Sequence, residues 1–203
     1  NVSFEHTVYP RLVETRRLTA FVTSHRYYSV GSHDRLGLTN TFLEERPAVI
    51  LDRDGVLNRK MPVAEYVRSW KDWEWIPGAK EAIALFKRAG YRICIVSNQA
   101  GVGRGYFTMQ EVEQVNAHVG REFAREGVRF EKIYVAPEAP DAPARGRKPS
   151  PEFLFAARDE FGLDLGESYI IGDKWTDLEC GWDAGVNKSI LVRTGYGAQV
   201  ERE

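Results

Sequence analysis

The sequence predicts an α/β fold, a three-layer sandwich built on a mostly parallel sheet, and three observations predict it. From Pro47 onward, short β-branched apolar runs alternate with stretches of helical periodicity, the pattern of repeated βαβ units. The runs are nearly continuous in their apolar character, as strands covered on both faces are. Carboxylates and other polar residues gather where the runs end, which is where open α/β sheets bind their ligands. At 203 residues and 43% apolar content, the chain suffices for one well-buried domain with a small appendage.

Strands are expected at 48–52, 91–97, 131–136, 168–172 and 188–192. After the first, Pro77-Gly78 opens a helix whose Ala79, Ala82, Ile83, Phe86 and Ala89 share one face, and Gly90 stops it. A second helix starts at Thr108, where Thr-Met-Gln-Glu111 is a capping box and Val112, Val115, Val119 and Phe123 form the inward stripe. Ser150-Pro151 caps a third, with Phe153, Leu154, Ala157 and Phe161 inward. Two stretches are not simple connections. The segment between Asn58 and Pro77 carries Tyr66, Trp70, Trp73 and Trp75; it is too short for a cap domain but sufficient for a flap, its aromatics serving as packing or as substrate contacts. Pro137 to Pro149, rich in Pro and Ala and ending in Arg145-Gly-Arg147-Lys148-Pro149, reads as a loop.

Charge and cysteine content exclude several classes. Lys and Arg total 28 against 29 Asp and Glu, so no global basic field favours nucleic acid or an anionic membrane. Cys94 and Cys180, the two cysteines, sit in apolar surroundings, which fits small core residues in a reducing compartment. No apolar run approaches the roughly 20 residues that span a bilayer, and the N-terminus lacks the apolar core of a signal peptide, so a cytoplasmic protein is expected. The chain begins with Asn rather than Met, as a piece of a longer one would.

The run Ala48-Val-Ile-Leu-Asp52-Arg-Asp54-Gly ends in two carboxylates two residues apart. Alone, Asp-x-Asp-Gly is equally an ordinary turn. A calcium loop of the EF-hand kind fails, because its twelfth position is Val63 where a Glu is required. Three further pieces follow in order at expected strand ends: Ser97-Asn98-Gln99, Arg147-Lys148, and Gly172-Asp173-Lys174-x-x-Asp177. Together they supply what hydrolysis of a phosphate ester needs: a nucleophile, charge neutralisation and a proton donor for the leaving oxygen. A hard cation such as Mg²⁺ can be held by Asp52, Asp173 and the backbone carbonyl of Asp54. The Ser97 hydroxyl can bind phosphoryl oxygens, while Lys148 and Arg147 neutralise developing charge.

These four motifs resemble those of the haloacid dehalogenase (HAD) superfamily of phosphohydrolases over roughly residues 47 to 195. The resemblance implies a Rossmann-like sandwich without a large cap domain, with Asp52 as nucleophile forming an aspartyl-phosphate and Asp54 as the acid that then activates water. It makes Asp173 the second-side magnesium ligand, and Asp177 either a secondary ligand or the residue that holds Lys148 or the metal's waters. The strings Asp-Arg-Asp-Gly-Val-Leu-Asn, Ser-Asn-Gln-Ala-Gly-Val-Gly-Arg-Gly, Arg-Lys-Pro and Gly-Asp-Lys are similar to those of heptose 1,7-bisphosphate phosphatases and histidinol-phosphate phosphatases. In that subfamily Arg53, the segment around Lys60 to Val63, Asn98 to Ala100 with Gln99 among them, Arg147 and Lys174 correspond to substrate or phosphate contacts. Arg104 either binds a second phosphate or is a solvated loop arginine. Many members carry a zinc-binding Cys/His loop before Arg-Lys-Pro; here Ala136 to Gly146 contains neither residue, so no zinc is expected.

The domain plan is therefore 1–46 as an N-terminal extension and 47–203 as the phosphatase domain. Parts of the extension, Val2-Ser-Phe-Glu5 to Val13 and Tyr28-Ser29-Val-Gly-Ser32 to Arg35-Leu36, resemble the tail of sugar-phosphate nucleotidyltransferases, with Ser29 where those enzymes place a metal-binding Asp. The extension is either such a tail, implying a fused or associated transferase, or a segment packed on the core. The leading expectation is a magnesium-dependent phosphatase of a phosphorylated sugar, the 7-phosphate of D-glycero-D-manno-heptose 1,7-bisphosphate. Histidinol phosphate and a non-catalytic domain regulating a transferase are the alternatives.

Overall fold

The computed structural model describes residues 3–19, 32–62 and 66–203; Ser29, where the transferase resemblance is centred, and Val63, at the end of the Lys60 segment, lie outside them. The chain divides into two units, Asn1–Phe42 and Leu43–Glu203, against an expected boundary at 46/47. In the first, a single π-helical turn Phe4–Val8 leads into helix α1 (Tyr9–Glu14), and α2 (His33–Leu43) runs up to the division.

The second unit holds a five-stranded sheet in the order β3-β2-β1-β4-β5, with every neighbouring pair parallel. The strands are β1 (Arg46–Leu51), β2 (Arg92–Asn98), β3 (Lys132–Ala136), β4 (Leu163–Gly172) and β5 (Lys188–Leu191). From β1 the chain moves outward to β2 and β3, then returns to place β4 on the other side of β1. That reversal opens a crevice at the carboxyl ends of β1, β2 and β4, where doubly wound sheets bind ligands.

The pleat divides the strand residues between two cores. Val49, Leu51, Ile93, Ile95 and Ile171 point to one face, against Ile83 of α3 (Ala79–Arg88) and Val115, Val119 and Phe123 of α5 (Met109–Arg125). Ala48, Ile50, Cys94, Val96 and Ile170 point to the other, against Leu154 and Ala157 of α6 (Glu152–Phe161) and Cys180 and Ala184 of α7 (Trp175–Ala184). A short α4 (Ala100–Gly103) lies between α3 and α5 in the chain, and α8 (Gly197–Val200) follows β5.

Local chemistry explains most boundaries. At Thr108 both hydrogen bonds of the expected capping box form. Gly78, at the α3 N-cap, takes φ 84°, a conformation open to glycine at little cost. At α6 the structure departs by one residue: Pro151 occupies the N-cap, and Ser150 Oγ accepts only a 3.4 Å contact from the Glu152 N–H. Strand β4 begins at Leu163, five residues before the expected 168, because Leu163 and Asp164 pair with Arg46 and Pro47 before the register shifts. Helix α7 was not marked by apolar periodicity. It packs so closely that a Cβ on Gly181 would overlap Ile170 Cγ2 and the Ser189 hydroxyl. Gly181→Ala should therefore destabilise the protein by about 1–3 kcal/mol through overpacking. A urea midpoint equal to that of the parent chain would show that α7 can shift outward at no cost.

Candidate active site

The ends of the strands bring the four motifs into one crevice. Asp52 leaves β1 with its N–H bonded to the Ile171 carbonyl of β4, and the residue is 4% exposed. Lys148, 3% exposed, donates to Asp52 Oδ1 at 2.8 Å and to the Val96 carbonyl at 2.7 Å. Its ammonium also lies 2.6 Å from Asp177 Oδ1. Burial disfavours the Lys148 charge, but the Asp52 and Asp177 carboxylates more than offset it and hold the ammonium protonated. Asn98 fixes the Lys148 backbone: its amide donates to the Lys148 carbonyl and accepts from the Lys148 N–H, both at 3.0 Å.

Asp177 has a second task. Its Oδ2 accepts the N–H groups of Asp173 and Lys174 at 3.1 and 2.9 Å, so one carboxylate caps α7 and orients Lys148. Of the two roles the motif left open, the structure places Asp177 on Lys148, while Asp52, Asp173 and Asp177 still offer oxygens within 4.8 Å of one another. Asp173 is fully buried; its Oδ2 accepts the Tyr196 N–H at 2.8 Å and its Oδ1 has no hydrogen-bond partner. Three carboxylates here face two ammoniums, those of Lys148 and Lys174, which leaves an excess of negative charge. A buried carboxylate oxygen without a donor, inside an all-oxygen set, fits a hard divalent cation such as Mg²⁺. Asp52 and Asp173 would hold it.

Asp54 stands apart from that cluster. Its Oδ2 accepts Arg53 Nε at 3.1 Å, Arg53 Nη2 at 2.9 Å and Gln99 Nε2 at 2.7 Å, and its Oδ1 accepts Asn58 Nδ2 at 2.9 Å. Burial pushes this carboxyl up, but the Arg53 charge and the hydrogen bonds from Asn58, Gln99 and Arg53 outweigh it and hold it below the usual carboxylate range. Asp52 goes the other way: burial raises it, and Lys148 pulls it back only in part. Two carboxylates in one turn thus have opposed environments: the donors around Asp54 favour its ionised form, and burial of Asp52 disfavours its charge.

The remaining expected residues fall into three positions. Ser97, 1% exposed at the end of β2, accepts Gln99 Nε2 at 2.7 Å, and Lys174 opens α7 with its ammonium 4.0 Å from Asp173 Oδ1. Arg104 and Arg147 stand at the margin, Arg104 donating to the Tyr66 hydroxyl and Arg147 to the Glu138 carbonyl. Arg53, expected among the substrate contacts, is instead 1% exposed and turned inward onto Asp54 and Asn116. The structure adds residues that the motifs did not single out. Asn58 closes the Asp54 network, Thr194 Oγ1 donates to the Gly55 carbonyl at 2.6 Å, and Tyr196 carries Lys60 Nζ 3.0 Å above its ring. Asn58 was within reach of the sequence, four residues after Asp54; Thr194 and Tyr196 carry no local signal. A cavity of ≈ 140 Å³ above Asp54 is lined by Lys60, Met61, Pro62, Tyr66, Lys174 and Tyr196.

Comparison with known proteins decides the family. A curated D-glycero-D-manno-heptose-1,7-bisphosphate 7-phosphatase of Chlorobaculum tepidum is 40% identical over 169 residues, covering 77% of this chain and 83% of the relative. The chain belongs to the HAD-like phosphatases. The HAD-hydrolase-like family model matches residues 146–203 of this phosphatase, which include Lys148, Asp173 and Asp177. A D-glycero-beta-D-manno-heptose-1,7-bisphosphate 7-phosphatase of Vibrio cholerae is 37% identical over 157 residues, 74% of this chain and 83% of the relative. Among solved structures, the D,D-heptose 1,7-bisphosphate phosphatase of B. bronchiseptica, complexed with magnesium and phosphate, matches with a TM-score of 0.71 at 30% identity. That match covers 77% of this chain and 86% of the other. The protein is a phosphoric monoester hydrolase.

Burial and the Asp52 charge push Asp173 up to about 6, so below that pH a proton occupies the carboxylate a cation needs. Mg²⁺ affinity measured by calorimetry should be level above about pH 6 and weaken by up to roughly tenfold per pH unit below it. Affinity that stays constant through this range would mean Asp173 is not a ligand.

Proposed function

We propose that this phosphatase hydrolyses a sugar phosphate through a phosphoryl-Asp52 intermediate with Mg²⁺ as cofactor, and that its substrate is D-glycero-D-manno-heptose 1,7-bisphosphate, cleaved at the 7-phosphate. The observation that carries the mechanism is the separation of the two carboxylates of one turn. Asp52 faces Lys148 and the acidic cluster, and Asp54 faces Arg53, Asn58 and Gln99. An Asp52 oxygen attacks phosphorus, the ester bond to the sugar breaks, and Asp54, ionised among its donors in the free protein and protonated as the anionic substrate enters the site, gives that proton to the departing alkoxide. Water then attacks the acyl phosphate, Asp54 takes the proton, and Asp52 is regenerated with release of inorganic phosphate. Lys148, protonated between Asp52 and Asp177, balances charge on the transferring group, and the Ser97 hydroxyl is within the same crevice to bind its oxygens. When bound, Mg²⁺ would neutralise the phosphoryl oxygens so that an anionic nucleophile can approach.

Two features support a substrate with a second anionic group. The names of the relatives specify a bisphosphate. Burial and the neighbouring Arg104 charge both lower Arg147, so two guanidiniums share one margin of the site with Glu138 offsetting them in part. Their hydrogen bonds go to the Tyr66 hydroxyl and the Glu138 carbonyl, which are neutral groups. An anion between them would relieve that repulsion.

The direct test is phosphate release from α and β heptose 1,7-bisphosphate and from histidinol phosphate. Activity on a heptose bisphosphate should exceed that on histidinol phosphate in kcat/KM, vanish with EDTA and return with magnesium. Asp52→Asn should lose nearly all turnover, at least ~10³-fold, and fail to form the beryllium fluoride adduct. Turnover retained in Asp52→Asn would exclude the phosphoryl-enzyme route, and preference for histidinol phosphate would exclude the sugar.

A further inference from the structure

The largest fully buried side chain among the described residues is a charged one, Arg53, at 1% exposure. A buried guanidinium is expensive unless paired, and its pair here is Asp54, met through Nε and Nη2. Its remaining arm, Nη1, donates to the side-chain oxygen of Asn116 at 3.2 Å. Asn116 belongs to α5, on the stretch whose Val115 and Val119 are buried in the core, so its position is set by the packing of that helix. Replacing a buried ion pair by apolar groups of similar volume is often neutral or stabilising, so stability alone does not account for this arrangement.

What the arrangement does is specific to one atom. Asp54 Oδ2 receives three N–H donors, two from Arg53 and one from Gln99, and has no room for a proton of its own. Asp54 Oδ1 receives a single donor, Asn58, which leaves it a further acceptor position in a carboxylate that lines the cavity. We infer that Arg53, held by Asn116, is a positioning residue that fixes the Asp54 carboxylate by its Oδ2 and so assigns Oδ1 as the atom that carries the proton to and from the reacting group. This rests on the acid–base role of Asp54 proposed above. Arg53 then acts through Asp54 rather than by touching the substrate, and Asn116 acts through Arg53.

The consequence is a dependence on the leaving group. A sugar alkoxide must be protonated as it departs, whereas p-nitrophenyl phosphate releases a phenolate that needs no acid, and kcat/KM reports only the steps through the first irreversible bond cleavage. Asn116→Ala and Arg53→Met should lower kcat/KM on heptose 1,7-bisphosphate by about 10- to 100-fold while lowering it on p-nitrophenyl phosphate by less than about threefold. KM should change little in Asn116→Ala, and Arg53→Lys, which keeps the charge but not the two-pronged contact, should fall between the parent and Arg53→Met. Thermal unfolding and Mg²⁺ affinity of Asn116→Ala, which removes no charge, guard against a folding defect in the Arg53 variants. Equal losses on both esters in Asn116→Ala, or no loss on either, would overturn the positioning role. Asp54→Asn provides the separating control. If it shows the leaving-group dependence and Asn116→Ala does not, only the Arg53–Asn116 assignment falls. If Asp54→Asn itself shows none, the acid role of Asp54 falls and takes this inference with it.

Discussion

The site depends on one buried ammonium. Lys148 Nζ touches Asp52 from β1, the Val96 carbonyl from β2 and Asp177 from α7, while Asn98 grips its backbone from the end of β2. None of these groups is stable there without the others. Two carboxylates at 4% and 1% exposure would repel and take up protons if the ammonium were absent, and the ammonium would lose its proton if the carboxylates were absent. Such a group is costly to bury and worth little to stability as a whole, so its contribution is geometric. It makes the spacing between two separate strand ends and one helix a single dimension, which is what a reaction between positioned groups requires.

The electrostatic ledger around Lys148 also explains why the site suits a cation and an anion at once. Asp173 sits outside the reach of Lys148, with Lys174 4.0 Å away as its nearest ammonium contact, and its Oδ1 carries no donor. The excess of negative charge is therefore local to the Asp52–Asp173 side, where a Cβ on Gly55 or Gly195 would overlap the Asp173 carboxylate. Glycine at those two positions lets the backbone close over the acid; each has a positive φ, 99° and 60°. Lys60 and Lys174 line the cavity, and Arg104 and Arg147 lie near each other by Tyr66, cations to which a phosphorylated ligand would be drawn.

How much of this was legible in the sequence follows from the range of the interactions. The strands declared themselves because a parallel sheet buried on both faces needs continuous apolar runs, and Ala48-Val-Ile-Leu is one. The Thr108 box was legible because both its partners lie within four residues. The early start of β4 was hidden because Gly166-Glu167 interrupts the alternation that Leu163 and Leu165 begin, and α7 was hidden because its packing face is built from Cys180, Gly181 and Ala184 rather than large apolar residues. Within the site, motif order placed Asp52, Ser97 and Asp173 at strand ends and Lys148 in a loop beside one, but which residue each side chain meets depends on pairs far apart in sequence. Arg53 and Asn116 are separated by 63 residues, and no local pattern marks Asn116 as different from other polar positions on an amphipathic helix.

That helix connects the acid to the rim of the cavity. The segment after Asp54 returns as a narrow loop whose stem is held by Asn58 opposite Trp75 and by the Arg59 N–H on the Glu74 carbonyl. Beyond the stem, Trp70 stacks on Trp73 and on His118 of α5 at 5.5 and 4.1 Å, and Trp75 meets Phe123 edge-on at 5.3 Å. The three tryptophans are thus packing, and of the four aromatics in this segment Tyr66 is the one that lines the cavity. Positions 115, 116, 118, 119 and 123 of one helix therefore fix the core, the arginine behind Asp54 and the base of the loop that carries Lys60, Met61 and Pro62. A displacement of α5 would move Asp54 and the cavity-lining loop together. That shared anchor lets a short loop and a half-buried carboxylate keep a fixed relation across the cavity between them.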